Sequence, residues 1–476
     1  MPWGAAIRPG KEGGMDIANS VLDLIGNTPM VRLTSVADDA PCQIVAKLET
    51  TNPGGSAKDR PALSMIDDAE RRGLLRPGGT IVEPTSGNTG VGLAIVAAQR
   101  GYNTVFVVTD KVAPEKVDLL RAYGGEVVVC PGAVEPDDPR SYYSTAERLT
   151  NEIPNSFRPD QYSNPANPLA HFETTGPEIW DQTDGRITHF VAGAGTGGTL
   201  TGVARYLKGQ SREVKIVAAD PEGSVYSGGS GRPYLVEGVG EDFWPPTYEP
   251  ELVDRVIAIS DRESFLTARR ISSEEGILIG GSGGTAVAAA LRLAPELGPD
   301  DLVVVLIPDS GRGYLSRVFN DDWMTGYGFV SNDGVTVGDV VQAKHGDVPA
   351  LVYVQPDDQV RQAAAAMKQH EVSQLPVAKG DMPLAAAEVM GSIDELRIMG
   401  AAFKDPSVMD RCVGDVMSPR LPTVGIGQTV ETAVEMLDRA PALLVIDGGR
   451  PRSVVTRADL MAFVSQDTDN STMGER

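Results

Sequence analysis

The stretch Gly54-Gly55-Ser56-Ala57-Lys58-Asp59-Arg60 decides how this chain is read. Before it runs Ile44-Val45-Ala46-Lys47-Leu48, an apolar segment of strand character. After it, residues 62–72 carry apolar side chains at helical spacing. Lys58 therefore stands at a loop-to-helix junction, where a side chain can point into a cleft. A lysine is ordinarily a solvated surface cation, so any chemistry assigned to this one depends on its company.

Three further stretches supply that company. Glu83-Pro84-Thr85-Ser86-Gly87-Asn88-Thr89-Gly90 follows a predicted strand at 80–83 and opens a helix at 91–100. Such a loop offers backbone N–H groups and short hydroxyls to an anion. Gly193-Ala194-Gly195-Thr196-Gly197-Gly198-Thr199 lies between a strand at 187–192 and a helix at 200–208. Its glycines let the backbone approach a phosphate closely, and the helix dipole favours the charge. Gly280-Gly281-Ser282-Gly283-Gly284-Thr285 precedes an alanine-rich helix at 286–294. Two anion cradles and a lysine point to a phosphorylated aldehyde held as a Schiff base.

These stretches, in this order, resemble those of the fold-type-II pyridoxal-phosphate enzymes, in the branch of cysteine synthase and cystathionine β-synthase. The resemblance runs from about residue 21 to 329. It takes in Gly26-Asn27-Thr28-Pro29, Asp160-Gln161-Tyr162-Ser163-Asn164-Pro165 and Pro308-Asp309-Ser310. The fold it implies is a two-lobed α/β structure of three αβα layers with mainly parallel sheets. Alternating short strands and amphipathic helices between 20 and 324 predict the same class. Residues 88–162 would contribute the smaller, mobile lobe.

The 476 residues suffice for about three domain-sized units. Formal charge is −23, from 42 basic and 65 acidic side chains, which opposes nucleic-acid or anionic-membrane binding as a main role. Cys42, Cys130 and Cys412 are scattered, as expected of a reduced, cytoplasmic protein. No run of about eighteen uncharged apolar residues is present, so no membrane span is expected. Residues 1–19 read as a disordered tail. Residues 224–246, rich in Gly, Ser and Pro, read as a long loop over the cleft mouth, ending in Glu237-Gly238-Val239-Gly240-Glu241-Asp242-Phe243.

A linker is expected at 325–335. Beyond it the chain repeats: Val337-Gly338-Asp339-Val340 recurs as Val413-Gly414-Asp415-Val416. A helix (358–369, then 428–438) and a short strand (375–378, then 443–446) follow each copy. The halves, about 336–405 and 410–466, each resemble one unit of the paired Bateman regulatory module; a plain packing or dimerisation domain is the alternative. In such modules a Thr and an Asp three residues later hold a nucleotide ribose. The second half has that pair, Thr456 and Asp459; the first has Asp394 and Arg397 instead. At most one adenosyl site per chain is therefore expected, with S-adenosylmethionine as the effector.

The resemblance assigns roles residue by residue. Lys58 carries the cofactor and moves the Cα proton. Gly195, Thr196, Gly197, Gly198 and Thr199 bind the phosphate, Asn88 the ring hydroxyl, and Ser282 faces the pyridine nitrogen. Thr85, Ser86, Thr89 and Gln161 bind the substrate carboxylate, each otherwise an ordinary turn or cap residue. The implied reaction joins L-serine and L-homocysteine to give L-cystathionine and water. The repeats, the Glu237–Phe243 loop and Tyr162, where many cysteine synthases have Phe, favour the cystathionine β-synthase branch. Eukaryotic members carry Tyr where this chain has Glu241, which is either a solvated carboxylate or a partner for the homocysteine ammonium. The short N-terminal extension holds neither Cys nor His, so no haem is expected. A homodimer or homotetramer is expected.

Two rival readings stand. One is a cysteine synthase using O-acetylserine and sulfide. The other is a nicotinamide-dependent oxidoreductase, because 193–198 satisfy G-x-G-x-x-G and Asp220 ends the next strand. The latter leaves Lys58, Asn88 and Ser282 without work.

Overall fold

Leu-Val-Val-Val-Leu-Ile at Leu302–Ile307 is buried in five of its six positions, as expected of a strand covered on both faces of a parallel sheet. In this computed structural model, which describes residues 17–473 apart from 86, 111, 113, 132–133, 135–137 and 345–350, that strand is the middle of the larger sheet. Of the expected tail, residues 1–16 lie outside the described residues, as does Ser86.

The chain forms two compact units. The first comprises the described part of Met1–Asp220 together with Gly238–Ala258 and Arg270–Gly313. It opens with strands β1 (Met30–Arg32) and β2 (Gln43–Leu48) and helix α1 (Asp59–Arg71). There follow β3 (Thr80–Pro84), α2 (Asn88–Arg100), β4 (Asn103–Thr109), α3 (Pro114–Ala122), β5 (Glu126–Cys130), α4 (Tyr142–Glu152) and β6 (Ser156–Phe157). β5-β4-β3-β6 make a parallel four-stranded sheet. Ile81, Phe106 and Val108 from this sheet share a core with Leu93 and Val96 of α2.

The chain continues through α5 (Ala166–Ala170), a π turn at His171–Thr175, α6 (Gly176–Gln182), β7 (His189–Gly193), α7 (Gly198–Gln210) and β8 (Lys215–Pro221). After the loop come β9 (Arg255–Ile259), α8 (Asp261–Glu274), α9 (Gly281–Leu293) and β10 (Leu302–Ile307). The six-stranded order is β1-β2-β10-β7-β8-β9, with β2, β10, β7 and β8 parallel. The expected strands are present to within two residues at each end. β1 and β6, three and two residues long, are too short to display a period. Residues 224–246 contain no helix or strand, as their composition predicts.

The second unit comprises Pro221–Glu237, Ile259–Arg269 and the described part of Tyr314–Arg476. It holds α10 (Asp321–Gly326), α11 (Val337–Ala343), α12 (Val360–Gln369), β11 (Gln374–Ala378), β12 (Val389–Asp394) and α13 (Glu395–Lys404). β13 (Thr423–Gly425), α14 (Val430–Leu437), β14 (Ala442–Asp447), β15 (Arg450–Thr456) and α15 (Arg457–Met473) complete it. Each half of the repeat builds its own core, one around Val360, Leu375 and Ile393, the other around Ala433, Leu443 and Val455. A third cluster containing Ala378, Val389, Leu444 and Ile446 joins them. Segments 221–237 and 259–269 fall in this unit, and each carries an ion pair to the repeats: Arg232 with Glu388 at 2.6 Å, and Arg262 with Asp447 at 2.7 Å.

Candidate active site

Lys58 is the N-cap of α1. Its loop is clamped from both sides: Ala57 N donates to Pro308 O at 2.8 Å, and Ser310 N to Gly55 O at 3.3 Å. A Cβ at Gly92 would lie 3.0 Å from the Lys58 carbonyl oxygen and 2.9 Å from Ala62 Cβ, so α2 packs directly on the start of α1. Behind the loop, buried Arg60 donates to Glu49 Oε2 at 2.7 Å and to Glu178 Oε1 at 2.6 Å. Lys47, also buried, donates to Glu178 Oε2 at 2.6 Å and to Thr28 O at 2.7 Å. Burial pushes the Glu178 carboxyl up, but Arg60 and Lys47 outweigh it and hold the group at about 2.

Desolvation lowers the pKa of the Lys58 amine, opposed by the charges of Asp309 and Glu241. A lysine so poised spends more time as the free amine that Schiff-base and proton-transfer chemistry require. Asp309 was legible only as part of a motif, and no role for it could be read from its sequence. The structure makes it the meeting point of three loops. Its carboxylate accepts from Asn88 Nδ2 at 2.8 Å, its carbonyl accepts from Gly280 N at 3.2 Å, and its backbone bridges to Ser56. Ser282 lies buried in the first turn of α9, two residues after Gly280.

The glycine-rich loop joins β7 to α7. Gly197 has φ +83°, and a Cβ at Gly198 would collide with the Asn167 amide, so both positions demand glycine. Asn167 Nδ2 donates to Thr196 Oγ1 at 3.0 Å, and Thr199 Oγ1 lies 3.1 Å from His171 Nε2. Burial first, then the charges of Arg60 and Lys58, hold His171 well below its usual range, so it is a neutral hydrogen-bonding partner. Neither Asn167 nor His171 stood out in the sequence. Asn167 sits in the run Asn164-Pro165-Ala166-Asn167-Pro168, where two Asn flanked by Pro could have drawn attention.

Thr85, Thr89 and Gln161 are all buried, and Thr89 Oγ1 donates to Gln161 Oε1 at 2.7 Å. Tyr162 follows, its ring 5.4 Å from that of Phe243. Burial pushes Glu241 up to about 7, with the Tyr162 hydroxyl bond and the Lys58 charge working against it. Tyr162 is itself pushed well above its usual range, by burial first and then by Glu241.

In the second unit, Asp459 Oδ2 accepts from Thr456 N and from Thr456 Oγ1, both at 2.7 Å. Its Oδ1 lies 3.0 Å from Lys344 Nζ. At the matching place in the first half, Asp394 caps α13 by accepting from Arg397 N at 2.8 Å, and Arg397 Nε donates to Val416 O. Among the described residues no cluster of His, Cys, Asp and Glu could hold a metal, and no helix is long and apolar enough to cross a membrane.

Lys58 at the start of α1 and the glycine-lined N-terminus of α7 have the chemistry to hold a phosphorylated pyridoxal group, and residues 21–309 match the family described as pyridoxal-phosphate dependent enzyme. Residues 337–384 and 413–466 match the CBS domain, which is the repeat read above. The chain is 36% identical over 465 residues to cystathionine beta-synthase of Dictyostelium discoideum, covering 94% of this chain and 92% of that one. It is 47% identical to the Rattus norvegicus enzyme of the same name, over 67% of this chain and 58% of the rat protein. Among solved structures, O-ureido-L-serine synthase superposes with a TM-score of 0.61 at 41% identity, over 64% of this chain and 96% of that one. The chain belongs to the cystathionine β-synthase family of fold-type-II pyridoxal-phosphate enzymes, with CBS domains at its C-terminal end.

Proposed function

We propose that the Lys58 cleft condenses L-serine with L-homocysteine to L-cystathionine and water. The observation that carries this is the convergence on Asp309 of the Lys58 loop, Asn88 and the Ser282 turn, in a chain whose similarity to a cystathionine beta-synthase runs through both its cleft and its repeats. Bound at Lys58, pyridoxal phosphate supplies a ring that takes up the electron pair released at the substrate Cα.

The chain's own residues do the rest. The 195–199 loop grips the phosphate with backbone N–H groups at the start of α7. Asn88, held by Asp309, fixes the ring hydroxyl. Ser282 would offer a neutral hydroxyl to the ring nitrogen, a setting that would favour loss of the β-substituent over transamination. Thr85, Ser86, Thr89 and Gln161 hold the serine carboxylate. Lys58 Nζ takes the Cα proton and later returns it. Glu241, steadied by Tyr162, receives the ammonium of homocysteine. Thr456 and Asp459 hold an adenosyl effector, for which S-adenosylmethionine is the candidate. The active form is a cytoplasmic homodimer or homotetramer and carries no haem.

The test is direct. Purified protein should show a visible absorption band that borohydride abolishes, and should form cystathionine from serine and homocysteine faster than cysteine from O-acetylserine and sulfide. A colourless protein, or one equally active with Lys58→Arg, overturns the reading.

A further inference from the structure

Glu83 lies on β3, two residues before Thr85, and is 1% exposed. Its Oε2 accepts from Asp160 N at 3.0 Å and its Oε1 from Gln161 N at 3.2 Å. Asp160 has φ +52°, in the left-handed region. Two successive N–H groups next to a left-handed residue form a concave anion nest, and here the chain's own carboxylate fills it. The turn is tied further by Ser163 N and Asn164 N, which donate to Asp160 O at 3.1 and 2.9 Å. Gln161 Oε1 is taken by the Thr89 hydroxyl, which leaves its Nε2 as the end turned to donate.

We propose that Glu83 is a positioning residue that sets the two arms of the substrate-carboxylate site, Thr85 and Gln161, against one another. It is rooted in the strand that carries the first arm and binds the backbone of the turn that carries the second. This rests on the reading of Gln161 as a ligand of the serine carboxylate. Each of the two Glu83 carboxylate oxygens serves one of the N–H groups. A Gln at 83 sets an NH2 against one of them, so the turn must give way and the Gln161 amide must move. The phosphate loop has its own tie, from Asn167 Nδ2 to Thr196 Oγ1, so the disturbance should fall on serine binding more than on the cofactor. Burial pushes the Glu83 carboxyl up to about 7 even though both N–H groups pull it down.

The experiment uses the holoenzyme, with steady-state kinetics and a spectroscopic titration of L-serine. Glu83→Gln should raise both KM and Kd for serine about 10-fold, with kcat and the homocysteine KM within about 3-fold of wild type. Gln161→Ala should raise the serine KM at least as much, and the double variant should be no worse than Gln161→Ala alone, because one change acts through the other. Asp160→Gly, which frees the left-handed position of its Cβ cost, should recover about 3-fold of the Glu83→Gln loss. If Glu83→Gln yields no folded protein, Glu83→Asp, which keeps the charge and shortens the reach, is judged by the same rise in serine KM. An unchanged serine KM in the folded variant, a loss confined to kcat, or losses that multiply in the double variant would overturn the role of Glu83. A silent Gln161→Ala would bring down the carboxylate site with it, whereas an effective Gln161→Ala beside a silent Glu83→Gln would remove Glu83 alone.

Discussion

The region around Lys58 and the Thr456–Asp459 region of the repeats are both built from short motifs next to helix starts, yet they treat polar groups differently. Around Lys58, Thr85, Thr89, Gln161, Thr196, Ser282 and Asp309 are buried, and Thr89, Gln161, Thr196 and Asp309 are held by partners far away in the chain. In the repeats, Thr456 and Asp459 are half-buried and bond chiefly to each other, while Arg397 is exposed. A buried polar group that loses its partner bears the full desolvation cost, whereas a half-solvated one finds water. The cleft should therefore be intolerant of change and the repeat forgiving, and the predictions below test that contrast.

The largest effect is expected at Lys58. If Lys58 has the proposed role, Lys58→Ala should cost about a thousandfold or more in kcat, because the proton carrier and the covalent anchor would be lost together. Measuring kcat beside an unchanged melting temperature separates chemistry from folding.

Next comes the buried network behind it. Arg60→Leu leaves Glu49 and Glu178 without their shared cation and should destabilise the fold by about 3–5 kcal/mol. Arg397→Ala, on an exposed helix of the repeat, should change stability by less than about 0.5 kcal/mol. Urea titration of both variants checks the pair, and equal losses would break the contrast. The sign with pH follows from Glu178. Its carboxyl is held down to about 2, so the stability it contributes is complete above the ordinary glutamate range and is lost as pH falls towards 2.

Smaller still is the effect at Glu241. With its carboxyl near 7, wild type should show a homocysteine KM that rises as pH falls through about 7, since the protonated acid no longer attracts an ammonium. Glu241→Gln should raise that KM about 10-fold at pH 8 and flatten the rise, leaving the serine KM alone. A homocysteine KM indifferent to the substitution would return Glu241 to a solvated loop carboxylate.

A last comparison lies inside the repeat. Calorimetric titration with S-adenosylmethionine should find about one site per chain, weakened about 10-fold by Asp459→Ala and unaltered by Asp394→Ala. Lys344→Ala should tighten binding a few-fold, because Lys344 occupies a carboxylate oxygen that a ribose hydroxyl would need. Absence of heat, with no change in rate or melting temperature, would refute the effector assignment.

The motifs were legible because each is local: glycines between a strand and a helix, a lysine at a helix start, Val-Gly-Asp-Val appearing twice. β1 and β6 were not, being shorter than any period that could announce them. The inclusion of 221–237 and 259–269 with the repeats was not legible either. It rests on contacts between residues distant in the chain, such as Arg232 with Glu388, 156 residues away, and Arg262 with Asp447, 185 away.

By itself the amino-acid sequence determined the α/β class, the position of Lys58 at a helix start, the glycine-rich loops between strands and helices and the asymmetry between Thr456–Asp459 and Asp394–Arg397. These follow from backbone geometry and side-chain chemistry that act within a few residues. Only the tertiary structure decided that Asp309 gathers three loops, that Glu83 fills the nest at Asp160 and Gln161, that Asn167 reaches Thr196 in the glycine-rich loop and that Lys344 sits on Asp459. A buried polar side chain takes its role from whichever group the fold brings within about 3 Å of it, and no spacing along the chain records that encounter.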